Sequence, residues 1–343
     1  MINSSPFTHK SINLPFFMGA VAITLIPALF TYIWFFGPGI AVHMLIGITT
    51  ALATETIMLK LRHRPVKPFI ADNSAIITAV LLVFCIPPFA PWWISFIGVA
   101  FAIVFGKHLY GGLGYNPFNP AMLGYAMLLI SFPAEMTAWT APVELLENAP
   151  GLISTLQIIF YGSLLEPVLF DAITMATPLD ALKTQLGLEQ NLQTILQGPV
   201  FGVMAGKGWE WINVAILAGG LFLMFKKIIT WHIPVALLGS LLIMSGIFYI
   251  IDPQTYVSPF IHLFSGAAML GAFYIATDPV TASTTVKGRL LFGAGIGVLT
   301  YIIRTWGGYP DGIAFAVLLM NMTTPLIDYY TQTRVFGHNG EDS

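Results

Sequence analysis

The sequence predicts an all-α polytopic membrane protein of about ten transmembrane helices, divided five and five as an inverted repeat. Three observations carry that expectation. Of 343 residues, 56% are hydrophobic and only 9% charged, against about 25% charged in a soluble domain. Apolar runs of the length that crosses a bilayer as a helix, about 20 residues, recur along the chain. Several are separated only by short Gly/Pro breaks such as "FGPG", "IPPFAP" and "DPQTYVSP", which leave little room for soluble structure between spans.

Taken in order, the first five spans are expected near 15–36, 39–60, 72–87, 91–108 and 119–133. The second five are expected near 209–226, 231–251, 259–276, 288–306 and 311–330. The first apolar run is long and lacks a small-residue cleavage site, so it reads as a retained helix rather than a signal peptide. Placing the N-terminus in the cytoplasm puts Lys10, Lys60, Arg62, Arg64, Lys67, Lys107, Lys226, Lys227, Lys287, Arg289 and Arg334 inside. Lys183, Lys207 and Arg304 fall outside, eleven basic residues against three. The positive-inside rule therefore puts both termini in the cytoplasm. Net charge is −2, so composition offers no nucleic-acid partner; membrane lipid is the expected surroundings. The single cysteine, Cys85, excludes an internal disulfide or an all-cysteine iron–sulfur or zinc site within this chain. Its apolar context points to packing.

Residues 134–208 break the pattern. They hold Glu135, Glu144, Glu147, Glu166, Asp171, Asp180 and Glu189 with two basic residues. Stretches such as "LISTLQIIF" read as amphipathic or interfacial helix, and the segment as a whole faces outside by the charge rule. The expected organisation is 1–133 as the first membrane half, 134–208 as a periplasmic segment, 209–330 as the second half and 331–343 as a cytoplasmic tail. Halves with an odd number of spans have opposite orientations, which is the arithmetic of an inverted repeat.

Within the outside segment, residues 171–177 read Asp–Ala–x–Thr–x–Ala–Thr. This resembles the recognition pattern for covalent flavinylation, in which a transferase joins the phosphate of flavin mononucleotide (FMN) to the last hydroxyl. Thr177 supplies the hydroxyl a phosphoester needs. Ala176 leaves room for the phosphate and the modifying enzyme, Thr174 can hydrogen-bond phosphate or backbone, and Asp171 can be read by the enzyme or cap the turn. The plainer alternative is a capped helix start with Asp171 or Thr174 as N-cap and nothing attached.

"DAITMATPLD", "GYNPFNPAMLGYAMLL" and "YIATDPVTAS", followed by "GRLLFGAGIGVLTYIIRTWGGYPDGIAFAVLLMN", together resemble the RnfD/NqrB family. That family comprises the D subunit of the bacterial Rnf (Rsx) ion-translocating oxidoreductase and the B subunit of the sodium-pumping NADH:quinone reductase. The resemblance covers nearly the whole chain. Only about 14 residues precede the first span, which favours the Rnf member over the quinone-reductase member with its longer N-terminal extension. The resemblance implies FMN on Thr177 and a second, non-covalent flavin, riboflavin, among the helices nearer the cytoplasm. It also implies the bacterial inner membrane, the A, B, C, E and G subunits of the Rnf complex as partners, and a flavin transferase during maturation.

Polar groups inside the membrane zone are costly and therefore informative. Asn119 before Pro120 reads as a helix start, and Asn116 before Pro117 repeats the signal. Asn amides also offer the donors and acceptors that a flavin edge requires. Asp278, flanked by Thr277 and Thr281 in "ATDPVTAS", ends a span on the same side as Asn119. Asp278, Asn119, Asn116 and Thr281 are the candidate contacts of the second flavin. The plainer alternative for each is helix capping. Glu55 is expected to pair with the Lys60–Lys67 cluster, and His43 and His262 to be structural. Arg304, Trp306 and Tyr309 read as outer interface anchors. The "GAGIG" run at 293–297 reads as close helix packing.

The expected function is a membrane flavoprotein subunit in which redox electron transfer is coupled to ion translocation. It has no nucleotide fingerprint or iron–sulfur ligand of its own, and so depends on partners to reach a soluble donor. The competing class is a channel or secondary transporter of inverted-repeat type, with no redox cofactor. Covalent flavin discriminates the two.

Overall fold

The structure, a computed structural model, describes residues 14–162 and 173–332. Among these the secondary structure is helical, with two isolated antiparallel bridges, Thr140 to Thr174 and Phe201 to Gly206. Helix forms in each of the ten apolar segments. Five are long and apolar enough to cross a membrane: Leu14–Phe36, Gly39–Leu61, His232–Ile251, Val286–Trp306 and Ile313–Thr331. Shorter apolar helices occupy Ser74–Val83, Trp92–His108, Pro120–Ser131 and Trp209–Phe225. The remaining segment is broken into Pro259–Phe264, Ala268–Leu270 and a π turn, Gly271–Ile275.

The breaks have local causes. The first helix is interrupted at Leu25, two residues before Pro27, whose ring and missing N–H do not fit a helix interior. Gly266 sits at φ +62°, and a Cβ there would meet Asp311, Leu179 and Arg304. A glycine is needed at that break for both conformation and space. The "GAGIG" run does pack closely: a Cβ on Gly293 would approach Ile233 O to 2.7 Å, and one on Gly297 would meet Ser240 and the Leu237 carbonyl. That lets Val286–Trp306 and His232–Ile251 approach backbone to backbone.

The burial pattern is that of a membrane body. One large apolar cluster, including Tyr32, Phe36, Leu82, Ile103, Leu128, Leu237, Phe292 and Ile296, fills the interior. Rings and aliphatic chains such as Phe30 (66% exposed), Trp34 (77%) and Ile250 (80%) cover the outside, where water would not accept so large an apolar surface. Asp171 lies outside the described residues. Within residues 173–208, a small cluster in which Leu179, Leu182, Leu192 and Ile195 meet Val257 and Ile261 seats the chain on the body.

Two sequence expectations about charge change here. Arg304 is no interface anchor. It is 5% exposed, its guanidinium lies 3.0 Å from Asp311 Oδ1, and it donates to the carbonyls of His262 and Ser265. Those carbonyls belong to the broken helix and have lost helical partners, so a buried cation with several donors fits there. Lys107, counted by sequence among the cytoplasmic basic residues, is likewise buried, at 2%.

Candidate functional site

Two cavities open within the body, one at each group of sequence-predicted residues. The first contains Thr177. Thr177 is the N-cap of the Pro178–Gly187 helix: its Oγ1 accepts from the Asp180 N–H at 3.3 Å, and Pro178 occupies the first turn. The cap therefore falls on the candidate attachment residue itself and not on Thr174. Threonine followed by proline is what a helix start favours at these positions.

The residues before Thr177 are tied to residues 139–141. Ala141 N–H donates to Ile173 O at 3.0 Å, and Met175 N–H donates to Trp139 O at 2.8 Å, around the Thr140–Thr174 bridge. After it, Pro178 lies so close to Gly206 that a Cβ there would overlap the proline ring. Lys183 donates to the carbonyls of Ile303, Arg304 and Tyr309, anchoring the short helix on the end of Val286–Trp306. Thr177 is thus half-buried on a fixed turn, and Ala176 beside it is exposed.

This outer cavity, about 100 Å³, has aromatic walls. Trp209 meets Trp139 at a centroid distance of 5.0 Å, Phe36 at 4.9 Å and Tyr32 at 6.1 Å; Tyr32, Trp139, Trp209 and Tyr125 all line the space with Thr177. Cys85 lines it too. Burial pushes the Asp180 carboxyl above the ordinary carboxylate range, with Lys183 opposing. Burial also lowers Lys183, and Asp180 opposes that shift. The N-terminus of Pro178–Gly187 offers the positive end of a helix dipole, which suits a phosphate.

The inner cavity, about 290 Å³, is lined by Asn116, Asn119 and Asp278, with Thr277, Ser74 and Lys107. Two π turns, Val104–His108 and Gly271–Ile275, bring Lys107, Phe273 and Tyr274 to its wall. The two Asn residues differ. Asn119 is an N-cap accepting from Met122 N–H at 3.2 Å, and its amide donates to Ile275 O. Its backbone N–H donates to Asn321 Oδ1. Asn116 donates only locally, to Phe118 O at 3.0 Å, and its Oδ1 is buried with no partner. An unpaired buried amide oxygen on a cavity wall is a place for a ligand N–H.

Asp278 accepts from Thr281 Oγ1 at 3.0 Å and from Val280 N–H at 3.3 Å. Thr281 is not on the cavity wall but orients the carboxylate that is. Its carbonyl accepts from Asn321 Nδ2, so Asn321 joins Asn119 to Thr281.

Sequence reasoning missed Lys107 and Ser74. Lys107 Nζ lies 2.8 Å from Glu55 Oε1 and 2.8 Å from Ser74 Oγ, and His108 Nε2 lies 3.0 Å from Glu55 Oε2. The partner of Glu55 is therefore this Lys–His pair and not the Lys60–Lys67 cluster. The signal available was the unusual position of Lys107 and His108 inside a span flanked by glycines. His43 Nδ1 lies 2.7 Å from Ser95 Oγ, while its Nε2 is buried with no partner. Among the described residues no group of three or more His, Cys, Asp or Glu side chains could hold a metal ion.

The family model "NQR2, RnfD, RnfE family" matches residues 1–337. The chain belongs to that family. It is 50% identical over 345 residues to the D subunit of the ion-translocating oxidoreductase complex of Escherichia fergusonii, covering 98% of each chain. It is 52% identical over 351 residues to the relative of the same name in Vibrio vulnificus, covering 98% of this chain and 99% of that one. A third relative so named, from Cronobacter sakazakii, is 50% identical over 345 residues, with 98% and 99% covered.

Proposed function

We infer that this chain is the membrane subunit of an ion-translocating oxidoreductase complex in which two flavins carry the electrons. The complex membership follows from relatives about half identical along their whole length and from the family match. The flavin assignment goes further. The observation that carries it is Thr177: a half-buried hydroxyl on a fixed helix N-cap, flanked by an exposed alanine and opening on an aromatic cavity.

The residues fit the two groups. A phosphate esterified to Thr177 Oγ1 would sit at the N-terminus of Pro178–Gly187, and the aromatic rings around Trp209 offer flat apolar faces for stacking. The inner cavity offers the open Asn116 carbonyl, the Asp278 carboxylate and the Lys107 ammonium to the polar edge of riboflavin. Each flavin supplies one- and two-electron chemistry when bound; the chain orients it and sets its surroundings. Partners would be the A, B, C, E and G subunits, with a flavin transferase acting first.

The same reading places the protein in the bacterial inner membrane with ten spans as a five-plus-five inverted repeat and cytoplasmic termini. Residues 134–208 then lie in the periplasm between the halves 1–133 and 209–330, and 331–343 form a cytoplasmic tail. The exposed basic residues Lys60, Arg64, Lys67, Lys226 and Lys227 all lie on the side assigned to the cytoplasm.

The test is in-gel fluorescence under denaturing conditions, with mass spectrometry of the peptide covering 171–183, after expression beside a flavin transferase. A fluorescent band lost in Thr177→Ala, with a mass gain of one FMN less water in the parent, is the expected result. An unmodified peptide would sink the covalent assignment.

A further inference from the structure

Glu55, Lys107 and His108 form a buried group of ionisable side chains in the body. Its cost is real: an ion pair taken out of water is often no more stabilising than apolar residues of the same volume. Its orientation relative to the inner cavity is informative. Lys107 and Ser74 line the cavity, whereas Glu55 and His108 do not. The carboxylate lies behind the ammonium, with His108 Nε2 3.0 Å from its other oxygen. His108 is in turn held by Arg62, which donates to its carbonyl at 3.2 Å.

The hydrogen bonds of the ammonium sharpen this. It has three N–H donors and no acceptor. Glu55 Oε1 and Ser74 Oγ take two of them at 2.8 Å each. Ser74 accepts from Lys107 and donates its own proton to Asp72 Oδ1 at 2.5 Å, and Asp72 also accepts the Ser74 backbone N–H. Lys107 is thereby fixed with two donors spent on the protein and one left for the cavity that the open Asn116 carbonyl also lines. The pair presents its positive end to the space.

We propose that Lys107 is the charged wall of the inner cavity that favours the reduced, anionic form of the flavin held there, with Glu55 and His108 as its positioning residues. This rests on the inner-flavin reading above. An oxidised flavin ring is neutral. On taking two electrons from the redox partners of the complex and one proton from water it carries one net negative charge. A fixed cation beside it binds that form more tightly than the neutral one and raises the reduction potential. Asp278, on the same cavity, acts in the opposite sense when ionised, and Thr281 and the Val280 N–H stabilise its charge. The two groups together bracket the potential from either side.

The test uses the full-length chain carrying Thr177→Ala, so that only non-covalent flavin titrates, with riboflavin added to saturation. Optical redox titration compares this parent with Glu55→Gln/Lys107→Met, which removes both charges and strands neither. Expected is at least a tenfold loss of preference for the reduced form, about 30 mV for a two-electron couple, with riboflavin still bound. Lys107→Arg, which keeps the charge, should stay within threefold of the parent. Should the first pair aggregate, Glu55→Gln/Lys107→Gln keeps a hydrogen bond across it and is read in the same way. An unchanged midpoint in a flavin-bound neutral pair overturns the role of Lys107. A parent that holds no acid-extractable flavin and binds no added riboflavin overturns the inner-flavin reading instead.

Discussion

The outer cavity is walled by Tyr32, Trp139 and Trp209 and carries its useful hydroxyl on a single residue, Thr177. The inner cavity is larger, and its polar groups come from well-separated parts of the chain: Ser74, Lys107, Asn116 and Asp278. In the outer one, tertiary structure fixes a short peptide so that one hydroxyl is presented, through the bridge to 139–141 and the seat of Pro178 on Gly206. In the inner one, each polar group is held by a different partner. On the proposed reading, the outer site rests on one covalent bond and should respond all-or-none to substitution, whereas the distributed inner site should respond by degrees.

The largest expected effect follows directly. Thr177→Ala should abolish covalent flavin, read as loss of in-gel fluorescence. Thr177→Ser should keep both the hydroxyl and a good cap, and so retain fluorescence. The alanine variant should cost only about 1 kcal/mol as a lost N-cap, so its melting temperature in detergent should barely move. A large fall there would mean that the residue is structural first.

Next in size is Glu55→Ala, which leaves Lys107 buried without its carboxylate. Removing one partner of a buried pair costs about 3–5 kcal/mol, so thermal unfolding in detergent should shift markedly. Glu55→Gln/Lys107→Met should be less destabilised than Glu55→Ala. Equal destabilisation would show that the two charges do not act as a pair.

The two Asn residues of the inner cavity should separate more finely. Asn116→Ala, whose amide oxygen has no protein partner, should lower acid-extractable flavin while leaving the melting temperature near the parent. Asn119→Ala removes an N-cap and the bond to Ile275, and should lower both, with about 1 kcal/mol lost from the cap alone. If the pattern were reversed, the open carbonyl of Asn116 would not be a ligand contact. Gly206→Ala should have a graded effect on the outer site. Overpacking against Pro178 costs about 1–3 kcal/mol and should reduce, without abolishing, the fluorescence at Thr177.

Much of this was legible in the chain because membranes simplify the reading. A helix in lipid must satisfy its own backbone and be apolar outward, so all ten apolar segments could be located and Gly293 and Gly297 understood as packing surfaces. Asn119–Pro120 announced a helix start through local stereochemistry, whereas the cap expected at Asp171 or Thr174 falls at Thr177. Glu55 is the instructive failure. Its expected partners, Lys60–Lys67, were near in sequence, yet the carboxylate turns into the bundle and meets Lys107 and His108 from a later helix. Arg304 misled for the same reason: basic residues flanked by aromatics usually anchor a helix at an interface, but here the broken helix at Ser265–Ala267 exposes carbonyls that draw the guanidinium inward.

By itself the sequence determined that this is a helical membrane protein, where its apolar segments lie, and which family its motifs resemble, because those properties depend on composition and short-range stereochemistry. Only the tertiary structure decided that Asn116, Asp278 and Lys107 share one cavity, that Thr177 caps its own helix beside a cluster of tryptophans, and that Lys107 turns its charge inward. Those facts depend on which helices pack together, and a buried charge takes the partner that the fold brings to it in the absence of water.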